Sequence, residues 1–267
     1  MRIIKDIAEA KIFLSRSRGL DLNVLPDHMR TRTKEVFGEP LTPIQVVDRI
    51  LNQVHDHGDS ALRTLSQKLD GTQLRDIEVS SSDIAAAYGS VPDDLVQALN
   101  LSANRIRRFH QTSKANSWVD FREGYGEIIN PVERVGAYIP GGTALYPSTV
   151  LMTAIPAKVA GVRDVVICTP SHKGAVHPMV LVAADISGVS KVFRVGGAQA
   201  IAAMAYGTET VPQVDLICGP GNLFVTLAKK RLFGDVGIDG LYGPTETLVI
   251  GDATANPTLC AVDLLAQ

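Results

Sequence analysis

The chain has 267 residues, 45% of them hydrophobic and 20% charged. That suits a globular protein with a sizeable core, in one large or two modest domains. A net charge of −2 gives no electrostatic case for nucleic acid or an anionic membrane as partner. Lys158 and Arg163 interrupt the longest apolar stretch short of a membrane span. The N-terminal MRIIKDIAEAK has no signal-peptide apolar core. Cys168, Cys218 and Cys260 are far apart in apolar runs, so they read as small buried hydrophobes in a reducing, cytoplasmic compartment.

Residues 1–120 read as mostly helical. Asp6–Arg16 suits a short amphipathic helix. Ile44–Leu69 carries Val47, Ile50, Leu51, Val54, Leu62, Leu65 and Leu69 at helical spacing, with Gly58 dividing or kinking it. His55 and His57 lie two apart, point to different helix faces and read as solvated surface. Arg75–Ser80 is an expected strand. Ser82-Asp83 opens a helix, and Pro92-Asp93-Asp94 opens another running to about Ala115 with acids in its first turn. Arg105, Arg107, Arg108 and His110 on that helix read as a solvated face or a subunit contact. Trp118–Val135 reads as an extended or hairpin connector.

From Val132 onward strands and helices alternate. The expected order is strand Val132–Ile139, helix Ser148–Ala160, strand Asp164–Thr169, helix Ala175–Ser187, strand Lys191–Val195, helix Ala198–Ala205, strand Val214–Cys218 and a helix from about Asn222 to Phe233. Such alternation implies a parallel sheet covered on both faces. Its strands end at Tyr138-Ile139-Pro140-Gly141-Gly142, Thr169-Pro170-Ser171, Gly196-Gly197-Ala198-Gln199 and Gly219-Pro220-Gly221-Asn222.

Two readings of these ends stand side by side. The loops line a nucleotide-type pocket, in which Gln199 and Asn222 hold hydroxyl, phosphate or carboxamide groups. Alternatively the glycines only make tight turns and the amides cap helices. Neither GxGxxG nor a P-loop lysine is present. Glycine-bearing ends gathered on one sheet edge favour the pocket.

Thr245 and Glu246 follow a Gly-Pro turn and begin an expected strand, Thr247–Gly251. Asn256-Pro257 then starts a helix that is apolar on most of its surface and is expected to be buried. It reaches Gln267 with no glycine or basic residue in its last turn, so the chain is expected to be a fragment of a longer protein.

VGAYIPGG, STVLMTAIPAKVAGV, VGGAQAIAAMAYGTE, GPGNLFV, GPTETLVI and DLLAQ closely resemble the histidinol dehydrogenase family. The resemblance is specific over the second half and looser over residues 1–120. It implies two incomplete Rossmann-like domains: a mostly helical region 1–120 carrying part of the first, an NAD-binding α/β domain at 121–251, and at 252–267 a helix returning to the first. It implies a homodimeric, zinc-dependent enzyme that oxidises L-histidinol through L-histidinal to L-histidine with two NAD⁺ in sequence. Tyr138, Gln199 and Asn222 match the family's NAD-contacting positions. Thr245 stands where many members have a substrate-contacting serine, and Gln267 matches a zinc ligand that borders the substrate. The remaining zinc ligands and the catalytic Glu-His pair would lie beyond Gln267, so no catalytic residue and only part of a zinc site are expected within this chain, which is expected to be inactive alone. Two alternatives remain: a paralogous alcohol dehydrogenase, such as a sulfopropanediol dehydrogenase, and a non-catalytic nucleotide-binding module.

Overall fold

Short apolar runs alternating with helix formers close into a five-stranded parallel sheet, preceded by helices and a small hairpin. The computed structural model describes residues 4–14, 33–141, 145–242 and 247–266. Two units can be separated, Met1–Pro43 and Ile44–Gln267. The first contains α1 (Ile7–Leu14) and a helical turn at 33–37. Within it the Leu41 amide donates to the buried Thr33 hydroxyl at 3.3 Å.

The second unit begins one residue into α2 (Pro43–Asp70). Gly58 breaks its helical path at φ 48°, ψ −129°, a backbone region essentially reserved for glycine. The Glu209 carboxylate fills the space that a side chain there would need and accepts from the next amide, Asp59, at 2.8 Å. Then come α3 (Ser81–Ala87, capped by Ser80), a 3₁₀ turn (Tyr88–Ser90) and α4 (Asp93–Ser113). The expected connector is an antiparallel hairpin, β1 (Trp118–Asp120) with β2 (Tyr125–Glu127).

The α/β series follows in the expected order: β3 (Arg134–Tyr138), α5 (Pro147–Ala160), β4 (Asp164–Cys168), α6 (Pro178–Ser187), β5 (Lys191–Phe193), α7 (Gly197–Tyr206), β6 (Leu216–Cys218), α8 (Leu223–Leu232) and β7 (Gly237–Ile238). The sheet order is β5-β4-β3-β6-β7, and every pairing is parallel. Ala137, Ile139, Ile167 and Val192 pack under α3, α4, α5 and α6. On the other face, Gly136 and Tyr138 meet α7 through Met204 and Gly197. α2 covers that side too: His55 packs edge-on to Tyr206, and Arg231 of α8 reaches Asp48 at 2.6 Å. This is an α/β, Rossmann-like fold with a helical N-terminal region.

Three expectations need correction. Arg75–Ser80 forms only a single antiparallel bridge, Glu78 to Phe193. The bridge rests on two bonds, Val79 N to the Val192 carbonyl and Arg194 N to the Ile77 carbonyl, while Arg194 Nη1 donates to the carbonyls of Asp76 and Glu78 on the far side. Residues 247–251 form no strand, and Leu248 and Ile250 are exposed; the strand beside β6 is the two-residue β7, too short to read from alternation. The last helix, α9 (Pro257–Leu265), starts at the expected Asn256 cap but has no buried residue, because no described element packs over its apolar side.

Candidate functional site

The chain builds β3, β4 and β5 outward in one direction, then returns through α7 to place β6 on the other side of β3. Connections therefore diverge at the carboxyl ends of β3 and β6, where open α/β sheets form a ligand crevice. The loops after Tyr138 and after Cys218 face each other there, and Pro170, after β4, lies against Gly141 and Gly196.

Tyr138 ends β3 and is buried. Its hydroxyl oxygen accepts from the Gly197 amide at 3.1 Å, the first residue of α7. Burial pushes its phenol up to about 12; the Gly197 bond opposes this, and the charges of Asp70 and Cys168 add to it. Gln199, in the first turn of α7, is 1% exposed. Its Nε2 donates to Asp70 Oδ2 at 3.4 Å, while its Oε1 is buried without a partner. A carboxylate on the nitrogen side fixes which end of the amide is which, so the unpaired end is an acceptor. Tyr138 and Gln199 thus come together at Gly197, with the carboxylate of Asp70 beside them.

The facing loop turns at Gly219, whose φ is +108° and whose Cα lies so close to the Tyr138 carbonyl that an added Cβ would stand 2.2 Å from it. Only glycine fits that approach. Asn222 follows, exposed, and its Oδ1 caps α8 by accepting from Phe224 and Val225 at 3.0 and 3.1 Å. Its oxygen is therefore spent on the helix, as the capping alternative supposes, whereas its amide nitrogen has no bond among the described residues and remains a donor.

Beneath this turn lies a charge pair that the sequence reading passed over. Lys229 of α8 is 2% exposed. Its Nζ contacts Asp239 Oδ1 and donates to the Gly219 carbonyl at 3.0 Å. Asp239 Oδ2 accepts the Gly219 amide at 2.8 Å. A signal was available: Lys229 shares a helix face with Val225 and Leu232, both buried, and a cation within an apolar stripe needs an internal partner. Asp70 offered no comparable signal, since it ends a polar helical turn.

Thr245 and Gln267 lie outside the described residues. His55 is exposed and pairs with Asp56, and His177 caps α6 by accepting from the Met179 amide. The three cysteines are free; burial raises the Cys168 thiol, and burial with the nearby Asp239 charge raises Cys218 to about 12. Among the described residues no three His, Cys, Asp or Glu side chains cluster as metal ligands, and no helix is long and apolar enough to cross a membrane.

The family described as histidinol dehydrogenase matches residues 39–267. The chain is 48% identical over 263 residues to a histidinol dehydrogenase of Deinococcus radiodurans, spanning 97% of this chain and 59% of that one. It is 46% identical over 273 residues to one of Synechococcus sp., spanning 100% of this chain and 60% of the other. A crystal structure of histidinol dehydrogenase from Elizabethkingia anophelis superposes with a TM-score of 0.77 at 42% identity, covering 83% of this chain and 52% of that one. The chain thus spans about 60% of the length of these curated relatives.

Proposed function

The chain belongs to the histidinol dehydrogenase family, and from that premise we propose that it carries the dinucleotide-binding part of an NAD-dependent oxidoreductase acting on the alcohol of L-histidinol. The observation that carries the binding half is the Oε1 of Gln199, a buried acceptor without a partner, which like the Tyr138 hydroxyl lies against Gly197 at the crevice. Most buried polar groups in folded proteins are hydrogen-bonded, so an unsatisfied acceptor at the crevice marks a place for a ligand donor. NAD⁺ supplies a carboxamide and ribose hydroxyls as such donors, and when bound it accepts hydride from a carbinol carbon.

In this reading the residues divide the work of holding and orienting. Gln199 Oε1 accepts from the dinucleotide. Tyr138 keeps its proton at neutral pH and donates a hydrogen bond to the ligand, since its oxygen already accepts from Gly197. Asn222 donates through Nδ2. The positive end of the α8 dipole, which points into this loop, favours an anionic group. Across the whole reaction, histidinol, two NAD⁺ and water give histidine as its carboxylate, two NADH and three protons.

Thr245 and Gln267 belong, in the same proposal, to the substrate side, with Gln267 one ligand of a zinc. The described residues do not compose a zinc site. A cytoplasmic homodimer completes the proposal.

Calorimetric titration of the chain with NAD⁺ tests the binding half. Saturable binding that Gln199→Ala weakens about tenfold, the loss of one well-made buried hydrogen bond, is expected. No binding, or an affinity indifferent to that change, would overturn it. The substrate half is read from NADH formed when histidinol is supplied to a chimera carrying the remaining length of a curated relative. Turnover of a sulfonated alcohol instead would reject histidinol as the substrate.

A further inference from the structure

We propose that Lys229 and Asp239 form a positioning pair that sets the Gly219 peptide for the dinucleotide, an inference that rests on reading the crevice as an NAD site. The pair holds both hydrogen-bonding groups of one residue. Lys229 Nζ donates to the Gly219 carbonyl at 3.0 Å, and Asp239 Oδ2 accepts the Gly219 amide at 2.8 Å. Asp239 Oδ1 contacts Lys229 and also accepts its neighbour's amide, Gly240, at 2.8 Å.

The clamp grips the loop where position matters most. Gly219 lies against the carbonyl of Tyr138, and three residues later Asn222 caps α8 and presents its amide nitrogen. A rotation of the Gly219 peptide would therefore move both walls of the crevice together. Backbone hydrogen bonds within the sheet cannot supply this restraint, because the β3–β6 pairing ends at Ala137 and Cys218.

Burying the Lys229 ammonium is a poor device for stability alone, since its desolvation offsets most of the attraction to Asp239, whose side chain stays 26% exposed. It is a good device for fixing a geometry, because the buried ammonium must keep its partners or stay uncompensated. The pair also reaches toward the segment that precedes Thr245. The ring of Tyr242 lies 5.8 Å from Lys229 Nζ, and its hydroxyl donates to the Asp239 carbonyl at 3.2 Å. One pair thereby ties the dinucleotide loop to the chain leading to the proposed substrate residue.

The test is a calorimetric NAD⁺ titration of the 267-residue chain and of the double variant Lys229→Met with Asp239→Asn. This variant removes both charges at once and leaves no lone buried ion. The control is Arg134→Met with Asp164→Asn, an ion pair at the opposite edge of the sheet. Thermal unfolding of each is recorded in parallel.

The expected result is a folded double variant that binds NAD⁺ at least about tenfold more weakly, with a control of unchanged affinity. If the unaltered chain binds and the double variant binds equally well, the positioning role is overturned while the dinucleotide reading stands. An equal loss in the control also overturns it, as general destabilisation. If the unaltered chain does not bind, the dinucleotide reading fails and the inference with it. Should the double variant not fold, Lys229→Met alone, which removes the donor to the Gly219 carbonyl and leaves Asp239 in contact with solvent, is titrated in its place: an affinity equal to the unaltered chain's overturns the role, and a loss of that size supports it.

Discussion

Tyr138 is the residue on which both walls of the crevice meet, through its hydroxyl to Gly197 and its carbonyl to Gly219. Its phenol rises from 10.0 to about 12. Raising an acid's value on folding means that the folded state favours the neutral form. The stabilisation is therefore complete below pH 10 and is lost as pH climbs through about 12. Tyr138→Phe should flatten that part of the alkaline unfolding profile. It should also cost roughly 1–3 kcal/mol at pH 7, because the Gly197 amide loses its acceptor. Urea unfolding between pH 7 and 11 measures both. An unchanged alkaline slope would assign the transition to Tyr88, which burial and Asp185 also push up to about 12.

Among the elements, α2 shows how local and distant determinants combine. Its apolar spacing and its break at Gly58 were legible in the sequence, because periodicity and a glycine are both local signals. What fills the break was not: Glu209 and the Thr208–Thr210 turn are some 150 residues away in the chain. Asp59, 6% exposed, accepts from the Thr208 hydroxyl at 2.6 Å, from the Thr210 hydroxyl and from the Thr210 amide at 3.2 Å. Asp59→Ala strands these donors in a buried place. Several orphaned groups place the expected loss at about 3 kcal/mol, read as a lower urea midpoint. Because α2 ends at Asp70, which holds Gln199, the same change should also weaken NAD⁺ binding. A variant that keeps its midpoint would show that water satisfies the turn. α9 failed as a reading for the converse reason. Its cap was local and correct, but burial depends on a neighbouring surface that an amphipathic pattern cannot supply.

At the scale of the whole molecule, alternation of strands and helices made the parallel sheet legible, and glycines after the strands marked the edge where its loops converge. The strand order was not legible, because nothing in a strand's own residues says on which side of β3 the next one docks. That choice is made by α7 packing on the face of Gly136 and Tyr138, opposite α5 and α6, so that β6 lands beside β3 and opens the crevice. The order makes a prediction that single substitutions cannot. A ligand binding only the folded state at one hundred times its Kd stabilises it by about 2.7 kcal/mol, and every amide that opens only by global unfolding gains that protection equally. Extra protection beyond this background should then appear in 138–141, 196–199 and 219–222, the three loops that converge on the switch point. Exposed helical amides of α4, and the bonds at the opposite ends of the strands around Arg134 and Asp164, should gain nothing beyond the common shift. Hydrogen exchange with and without NAD⁺ reads this pattern directly. Extra protection confined to the groove of Arg105, Arg108 and Phe109 on α4 would place the dinucleotide elsewhere, and the strand order would then have no bearing on binding.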